Sequence, residues 1–287
     1  MTAARRLQHL ARGGGLVLLA IISVFPIYMM GVESLKTVQE DVLGSPFIVL
    51  HPTLKWYFGL FEPVLWLRGE AFVREIPFLV WLANTVIVLV SAVLVIIVTS
   101  LAAAYALGRL RPPGWQVLRR ILFATYLIPQ TLLFLPLYTL VFRLGLDDNL
   151  LALVLVYPAL AIPFCVWLLS TYFQRLAPEV EESAYIEGAS RFGVFVRIML
   201  PMSWPVVVAA GLFALGVVSS DFLFAAVFLP NQFHQTLAAG LGTIGISMAD
   251  LSLVAGVNFA ALTVVPLAGA LAGAYVRGLS AAMVEGA

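Results

Sequence analysis

Long stretches without a charged residue constrain this chain more than any other feature. A helix needs about 20 residues to cross the hydrocarbon of a bilayer, and we take six uncharged stretches of at least that length as candidate spans. They are residues 13–32, 76–108, 121–142, 149–174, 198–220 and 251–276. Hydrophobic residues make up 62% of the chain and charged ones 11%, against about 25% charged in a soluble domain. The sequence therefore excludes an ordinary soluble enzyme and predicts an all-α, polytopic membrane protein with six transmembrane helices.

The stretches set the expected span boundaries within a single core domain, 72–276. We predict transmembrane spans over 13–32, 84–108, 121–142, 150–172, 205–229 and 251–276. The second stretch is too long for one crossing, so we place its start, around Pro77 and Trp81, at the interface. The fifth span continues past Asp221, which puts an acidic residue inside a span.

The positive residues predict the orientation. With the N-terminus inside, 11 Lys and Arg residues fall in cytoplasmic segments and 5 in outer segments, as the positive-inside rule requires. Segments 1–12, 176–201 and 277–287 are then cytoplasmic, so both termini face the cytoplasm, while 33–83 and 230–250 are periplasmic or interfacial. The first stretch lacks an A-x-A-like cleavage site before Glu33, and we expect an uncleaved span there.

Charge and motif content exclude several classes of function. The net charge is +1, and no stretch has enough Lys and Arg to follow a phosphate backbone, so nucleic-acid binding has no electrostatic support. A phosphate-binding loop needs lysine after glycine, but the lysines Lys36 and Lys55 both follow leucine. The histidines and Cys165 are scattered. We expect this chain to bind no cofactor or metal and to catalyse no reaction.

The segment 176–201 is charged and patterned. Pro178 suits a first helical position, and Glu179, Glu181 and Glu182 place negative charge in the first turn. Gly188 can end that helix with a positive φ. A second helix follows, and its apolar face is expected to contain Phe192, Phe195, Val196 and Met199. Four glutamates would repel an anionic leaflet, so a protein partner is favoured over the lipid surface.

The pattern in this segment resembles the EAA loop of ABC-importer permeases. It reads Glu182-Ser183-Ala184, three residues, Gly188, nine residues, then Ile198-Met199-Leu200-Pro201, with Ser183 for the usual middle alanine. Further passages are similar to the carbohydrate-uptake branch, and to its maltose-type second permease subunit: Asn84-Thr85, residues 103–109, Ile128-Pro129, residues 135–138 and residues 277–281. Where the family has Trp-Asn-Asp/Glu-Phe, this chain has Ser219-Ser220-Asp221-Phe222, which lacks the Trp.

The resemblance implies a type I importer permease fold in the bacterial cytoplasmic (inner) membrane. It implies four kinds of contact: a second homologous permease subunit, an ATPase subunit dimer that uses ATP and Mg, an extracytoplasmic solute-binding protein or lipoprotein, and membrane lipid. The EAA loop would dock into the ATPase, with a charge-assisted hydrogen bond at Glu182, close approach at Ala184 and Gly188, and the Phe192 face anchored on the membrane domain. The implied ATPase-coupling residues are Glu182, Ser183, Ala184, Glu187, Gly188, Ala189, Ile198, Leu200 and Pro201.

Polar residues in the predicted spans are candidates for a translocation path, because lipid-facing polar groups are costly. They are Asn84, Gln130, Thr131, Ser219, Ser220, Asp221 and Asn258. Asp221 either lines the path or bonds to a neighbouring helix. The candidate set is neither strongly acidic nor basic, which favours a neutral, hydroxyl-rich solute such as a sugar, oligosaccharide or polyol.

Three alternatives remain open at this level. An ABC permease could carry another small solute, such as glycerol phosphate or a polyamine. A stand-alone secondary transporter should show two related halves and several titratable residues in its spans, whereas only Asp221 fits and no halves repeat. A membrane-embedded enzyme would need a catalytic cluster.

Overall fold

Helices follow one another along nearly the whole described chain. The computed structural model describes the backbone of residues 3–61, 64–67, 70–73, 77–247 and 251–285. The long helices are α1 (Ala3–Leu35), α4 (Phe78–Tyr105), α5 (Trp115–Tyr126), α6 (Gln130–Arg143), α7 (Leu150–Phe173), α11 (Trp204–Ser219), α13 (Leu237–Ser247) and α14 (Leu251–Glu285). The short ones are α2 (Val38–Leu43), α3 (Lys55–Gly59), α8 (Pro178–Ile186), α9 (Arg191–Val194), α10 (Leu200–Met202) and α12 (Leu223–Phe228). Wider π-helical turns continue α4 over Ala106–Leu110 and α9 over Phe195–Met199.

Three helical segments within this described part are long and apolar enough to cross a membrane. They are Gly13–Leu35, Phe78–Leu110 and Leu150–Phe173. Two bent pairs of helices pass the same test together, so the described residues provide up to five spans. The sixth predicted span, 251–276, falls in α14, where many side chains lie outside the described residues. The protein is thus a multi-pass membrane protein.

The third predicted span, 121–142, is not one straight helix. Helices α5 and α6 meet at 97°, and Pro129 between them is extended, with φ −54° and ψ 128°. Proline disfavours the α conformation in the residue before it and has no N–H to donate. The chain therefore bends at Ile128-Pro129 in the middle of an uncharged stretch.

The fifth predicted span, 205–229, is also interrupted. Its helix α11 begins at Trp204, 78° from the helical segment Arg191–Met202, and ends at Ser219. The expectation that Asp221 lies inside a continuous helix was wrong. Asp221 lies between α11 and α12, and its carboxylate accepts hydrogen bonds from the amides of Phe224 and Ala225. A side chain that caps the next helix competes with continuation of the previous one.

The chain divides into two compact units, residues 1–76 with 244–262 and residues 77–243 with 263–287. The core of the second unit lies where α4, α7 and α11 pack together. Small, fully buried residues mark these contacts: Ala92, Ala104, Ala161, Ala210 and Ala214. Small side chains let helix backbones approach closely, which is how membrane helices gain packing energy.

The first unit contains most of the segment 33–83, for which the sequence predicts a periplasmic or interfacial position. Trp56 donates its indole N–H to the Lys36 carbonyl, and Tyr57 donates its hydroxyl to Ser34. Strands β1 (Val64–Leu67) and β2 (Glu70–Val73) form an antiparallel ribbon, the one described departure from an all-helical chain. The predicted loop 230–250 contains the whole of α13.

Candidate functional site

The coupling-loop candidate forms a short helix with well-defined ends. Helix α8 begins with Pro178 at its first position and carries Glu179 and Glu181 in its first turn. It is followed by Gly188, with φ +87°, so the predicted helix and its glycine end are confirmed. Ser190 then caps α9, because its Oγ accepts a hydrogen bond from the Gly193 amide at 3.1 Å.

An ion pair joins α8 to the end of the second span. The Nε atom of Arg109 lies 2.7 Å from Oε1 of Glu181, with side chains only 9% and 13% exposed. Arg109 also donates from Nη2 to the Leu176 carbonyl at 2.8 Å. This pair was not predicted from the sequence, where Arg109 contributes only to the resemblance over residues 103–109. One signal was available, since an arginine that closes an apolar span and becomes buried needs an acidic partner.

The same end of the α4 segment packs closely on α7. A Cβ at Gly108 would lie 3.0 Å from Cβ of Phe173 and 3.1 Å from the Ser170 carbonyl oxygen. Glycine therefore permits a backbone approach that alanine would disturb. The Arg109–Glu181 pair therefore links α8 to a helix end that itself packs on α7.

The residues of α8 divide into a buried and an exposed set. Ala184 is only 8% exposed and belongs to the core, so its small side chain packs within this chain; its close approach to a partner stays a prediction. Glu182, Ser183, Glu187, Gly188 and Ala189 are exposed. Ile186 is 87% exposed, and a large apolar side chain so open to solvent marks a surface that suits a partner.

In the second helix, the set of apolar residues that are buried differs from the predicted set. Phe192 is 75% exposed, whereas Val194 and Met199 are buried. Phe195 packs between two spans, with its ring 4.7 Å from Tyr105 and 6.4 Å from Phe173. The predicted Phe192 anchor was wrong because the π-helical turn Phe195–Met199 adds a residue to the turn and rotates the face. Ile198 and Leu200 are half-buried and Pro201 is exposed.

Several of the candidate path residues make hydrogen bonds in the described part of the chain. Buried Asn84 donates to the carbonyls of Phe233 and Gln235, both at 3.0 Å. Asn258 donates to the Met30 carbonyl at 2.8 Å within the first unit. Gln130 is exposed at the first position of α6, next to the bend at Pro129, and Thr131 follows it, also exposed.

Asp221 bonds across to α7. Its Oδ2 accepts a hydrogen bond from the Tyr157 hydroxyl at 2.8 Å, and Tyr157 is 1% exposed. Of the two interpretations of Asp221, the bond to a neighbouring helix is therefore present, while Asp221 itself stays half-exposed beside exposed Ser220 and half-exposed Ser219. Tyr157 was missed because a tyrosine in an apolar run carries no local signal.

A further set of bonds holds the turn between α12 and α13. Asp148, with φ +58°, accepts from the Asn231 amide at 3.0 Å and contacts Nδ1 of His234 at 2.9 Å. Thr85 accepts a bond from the Leu237 amide at 2.7 Å. The start of α4 and the α6–α7 turn thus both hold this segment.

Comparison with known proteins supports this arrangement. Residues 100–280 match the family described as binding-protein-dependent transport system inner membrane component. The chain is 29% identical to the inner membrane ABC transporter permease protein YcjP of Escherichia coli over 226 residues, covering 78% of this chain and 77% of the relative. It is 30% identical to the trehalose/maltose transport system permease protein MalG of Thermococcus litoralis, covering 74% and 72%.

A solved structure shares the fold. A crystal structure of a bacterial ABC transporter involved in the import of the acidic polysaccharide alginate has a chain that matches with a TM-score of 0.77. The match covers 95% of this chain and 98% of that chain, at 17% sequence identity. The alignment therefore extends over almost the whole of both folds.

Proposed function

This chain belongs to the family of binding-protein-dependent transport system inner membrane components, and from that premise we propose that it forms half of the path by which an ABC importer takes up a carbohydrate. The family is a transport component, and the chain is an ABC permease of the cytoplasmic membrane. We assign ATP hydrolysis, with its Mg, to a separate ATPase dimer. The other half of the path would come from a second homologous permease.

The observation that carries the coupling role is the attachment of α8 to the membrane helices. A helix that receives force from an ATPase must be stiffly joined to the spans that it moves. The buried Arg109–Glu181 pair and the close contact of Gly108 with Phe173 support such a joint. The solvent-exposed residues Glu182, Ile186 and Phe192 provide the surface for the ATPase. In this proposal Glu182 accepts a charge-assisted hydrogen bond from a basic residue of the ATPase.

The remaining sequence-derived coupling residues have two roles in this proposal. Ser183, Glu187, Gly188 and Ala189 belong to the exposed docking surface with Glu182. Ala184, Ile198, Leu200 and Pro201 support the turn that joins the docking surface to α11. Glu181, which lies one residue before the motif, is added to the set as the internal anchor.

The substrate proposal rests on the relatives. MalG carries trehalose and maltose by its name, and the diacetylchitobiose uptake permease NgcG of Streptomyces coelicolor carries a related sugar. We propose a sugar, oligosaccharide or polyol for this chain, delivered by an extracytoplasmic solute-binding protein. The residues Gln130, Ser220 and Asp221 at the two helix breaks are the proposed path groups, whereas Asn84 and Asn258 are used in internal bonds.

Purification in mild detergent tests the assembly. The tagged chain should bring down an ATPase with a phosphate-binding loop and a second multi-span subunit. Reconstituted into vesicles with ATP inside and the binding protein outside, the complex should accumulate labelled neutral oligosaccharides. Isolation without an ATPase would contradict the coupling role, and selective uptake of a phosphorylated or cationic solute would contradict the carbohydrate assignment. The six-span topology with both termini inside is tested by membrane-impermeant labelling of cysteines placed at each end.

A further inference from the structure

A cluster of arginines around one tryptophan lies where the second span ends and α5 begins. It consists of Arg111, Trp115, Arg119 and Arg120, and we call it the Arg–Trp cluster. We propose that this cluster binds the phosphate headgroup of an acidic phospholipid. The inference does not depend on which solute the importer carries.

The charge around the cluster is uncompensated. Residues 76–146 contain no Asp or Glu. Arg109 is paired with Glu181, but within the described part of the chain no carboxylate comes within ion-pair distance of Arg111, Arg119 or Arg120. Arg111 and Arg119 both approach the Trp115 ring, and like charges that share one site repel each other. An anion from outside this chain would relieve that repulsion.

The geometry of the cluster suits a phosphate group. The Cζ atoms of Arg111 and Arg119 lie 5.5 Å and 5.4 Å from the centre of the Trp115 ring, within cation–π range. Arg111 is fixed further, because its backbone has φ +48° and its Nε donates to the Gly108 carbonyl at 3.2 Å. A guanidinium that stacks on an indole keeps N–H donors at its edge, and those donors match phosphate oxygens in a bidentate fork.

The surroundings of the cluster favour a lipid over a soluble anion. The exposed apolar residues Val117, Leu118 and Ile121 lie between and beside the arginines on α5. Farther along the same helix, Phe123 packs on Trp167 of α7 with ring centres 4.8 Å apart. The arginines thus lie at the end of a membrane-embedded helix, next to uncovered apolar surface. Groups of Lys and Arg beside a membrane helix attract acidic lipid headgroups, and Trp is typical of the membrane interface.

The test measures lipid retention by the intact complex. The protein is purified with its partner subunits and exchanged into vesicles of phosphatidylcholine with phosphatidylglycerol, and the lipids that remain bound are counted by native mass spectrometry. The variant R119Q/R120Q should lose phosphatidylglycerol relative to phosphatidylcholine by about tenfold. R119K/R120K keeps the charge and should retain most of the preference, which separates loss of charge from loss of folding.

A matched control removes two other exposed arginines, R191Q/R197Q, from the loop on the same side of the membrane. It should retain phosphatidylglycerol like the unaltered protein. Equal retention of both lipids by the unaltered protein, or an equal loss in the control, would overturn the proposal. So would displacement of phosphatidylglycerol by excess inorganic phosphate, which would mean a soluble anion site. Unchanged lipid retention with loss of a partner subunit from R119Q/R120Q would mean a protein interface instead.

Discussion

The Nε atom of Arg109, at the end of the α4 segment, lies 2.7 Å from Oε1 of Glu181 in α8, and both side chains are largely buried. One residue ends a membrane span and the other belongs to the exposed cytoplasmic loop of the proposed topology. Because a buried charge without its partner is costly, the two elements are expected to move together. This pair is a direct contact between the helix that carries the proposed ATPase surface and the end of a span.

Removing one member of the pair should destabilise the protein and uncouple transport. We expect R109Q to lower the free energy of unfolding by about 3 kcal/mol, because Glu181 then stays buried and unpaired. The melting temperature of the purified complex measures the stability loss, and the ratio of solute taken up to ATP hydrolysed measures coupling.

The control replaces both charges, as R109M/E181L. Buried ion pairs are often replaced by apolar residues at little cost, so this variant should melt near the unaltered protein. If R109Q and R109M/E181L melted alike, the pair would not carry the stability assigned to it. Normal coupling in R109Q would contradict the role in force transmission.

Gly188 should be required for its backbone conformation and not for space. Its φ is +87°, and a Cβ there would meet nothing within 4 Å in this chain. G188V should strain the backbone by about 1–2 kcal/mol and abolish ATP-driven uptake, while the protein still inserts in the membrane. G188N tolerates positive φ better and should keep partial uptake. Normal uptake by G188V would contradict this account.

Local signals predicted α8 well. Pro178, the acidic first turn and Gly188 each act within a few residues, so the helix and its end could be predicted from the sequence. The partner of Glu181 could not, because four glutamates lie within nine residues, Glu179 to Glu187, and only the tertiary fold brings one of them to Arg109.

The breaks in the spans were harder to predict, because they too depend on the tertiary fold. Pro158 and Pro163 lie inside the continuous helix α7, while Pro129 ends one helix and begins another. Neighbouring helices can satisfy the carbonyls that a proline frees, so the residue alone does not decide between a kink and a break. The exposure of Phe192 also escaped prediction, because a 3.6-residue period cannot anticipate a π-helical turn.

Substitutions of Tyr157 and Asp221 can separate a structural role of Asp221 from a role in lining the path. Y157F removes the hydroxyl that bonds to the carboxylate and should cost about 1.5–3 kcal/mol, the usual value for a hydrogen bond to a charged group. D221N keeps an oxygen that can cap α12 and should cost less. If Asp221 lines the path, D221N should change the apparent affinity for the solute in vesicle uptake while assembly is preserved. If D221N instead abolished assembly, Asp221 would have only a structural role.

The pH dependence of the segment around α2 should follow Glu40. Desolvation raises the pKa of this carboxyl group, but hydrogen bonds from the amides of His51 and Leu50 outweigh it, and the pKa lies below its ordinary value. Because the pKa of Glu40 is lower in the folded protein than in the unfolded chain, ionised Glu40 stabilises the fold at pH values above its ordinary pKa. This stabilisation is lost as the pH falls through the pKa of the folded protein. Hydrogen exchange of the backbone amides of Leu50 and His51 should therefore become faster under strongly acidic conditions, once the rates are corrected for intrinsic exchange. E40A should exchange rapidly at neutral pH as well; amides that stay protected in E40A would contradict this assignment.

Close packing at Gly240 should be essential for the segment between α12 and α14. A Cβ at this position would overlap the indole ring of Trp81, whose N–H donates to the Gln232 carbonyl. G240A therefore has to displace the indole or the helix α13, and overpacking of this kind costs about 1–3 kcal/mol. The matched control is G211A in α11, where a Cβ would meet nothing within 4 Å. We expect a lower melting temperature for G240A than for G211A, and W81L should restore part of the loss because it removes the overlapping ring. Equal melting temperatures for G240A and G211A would show that α13 does not lie against Trp81 in the membrane.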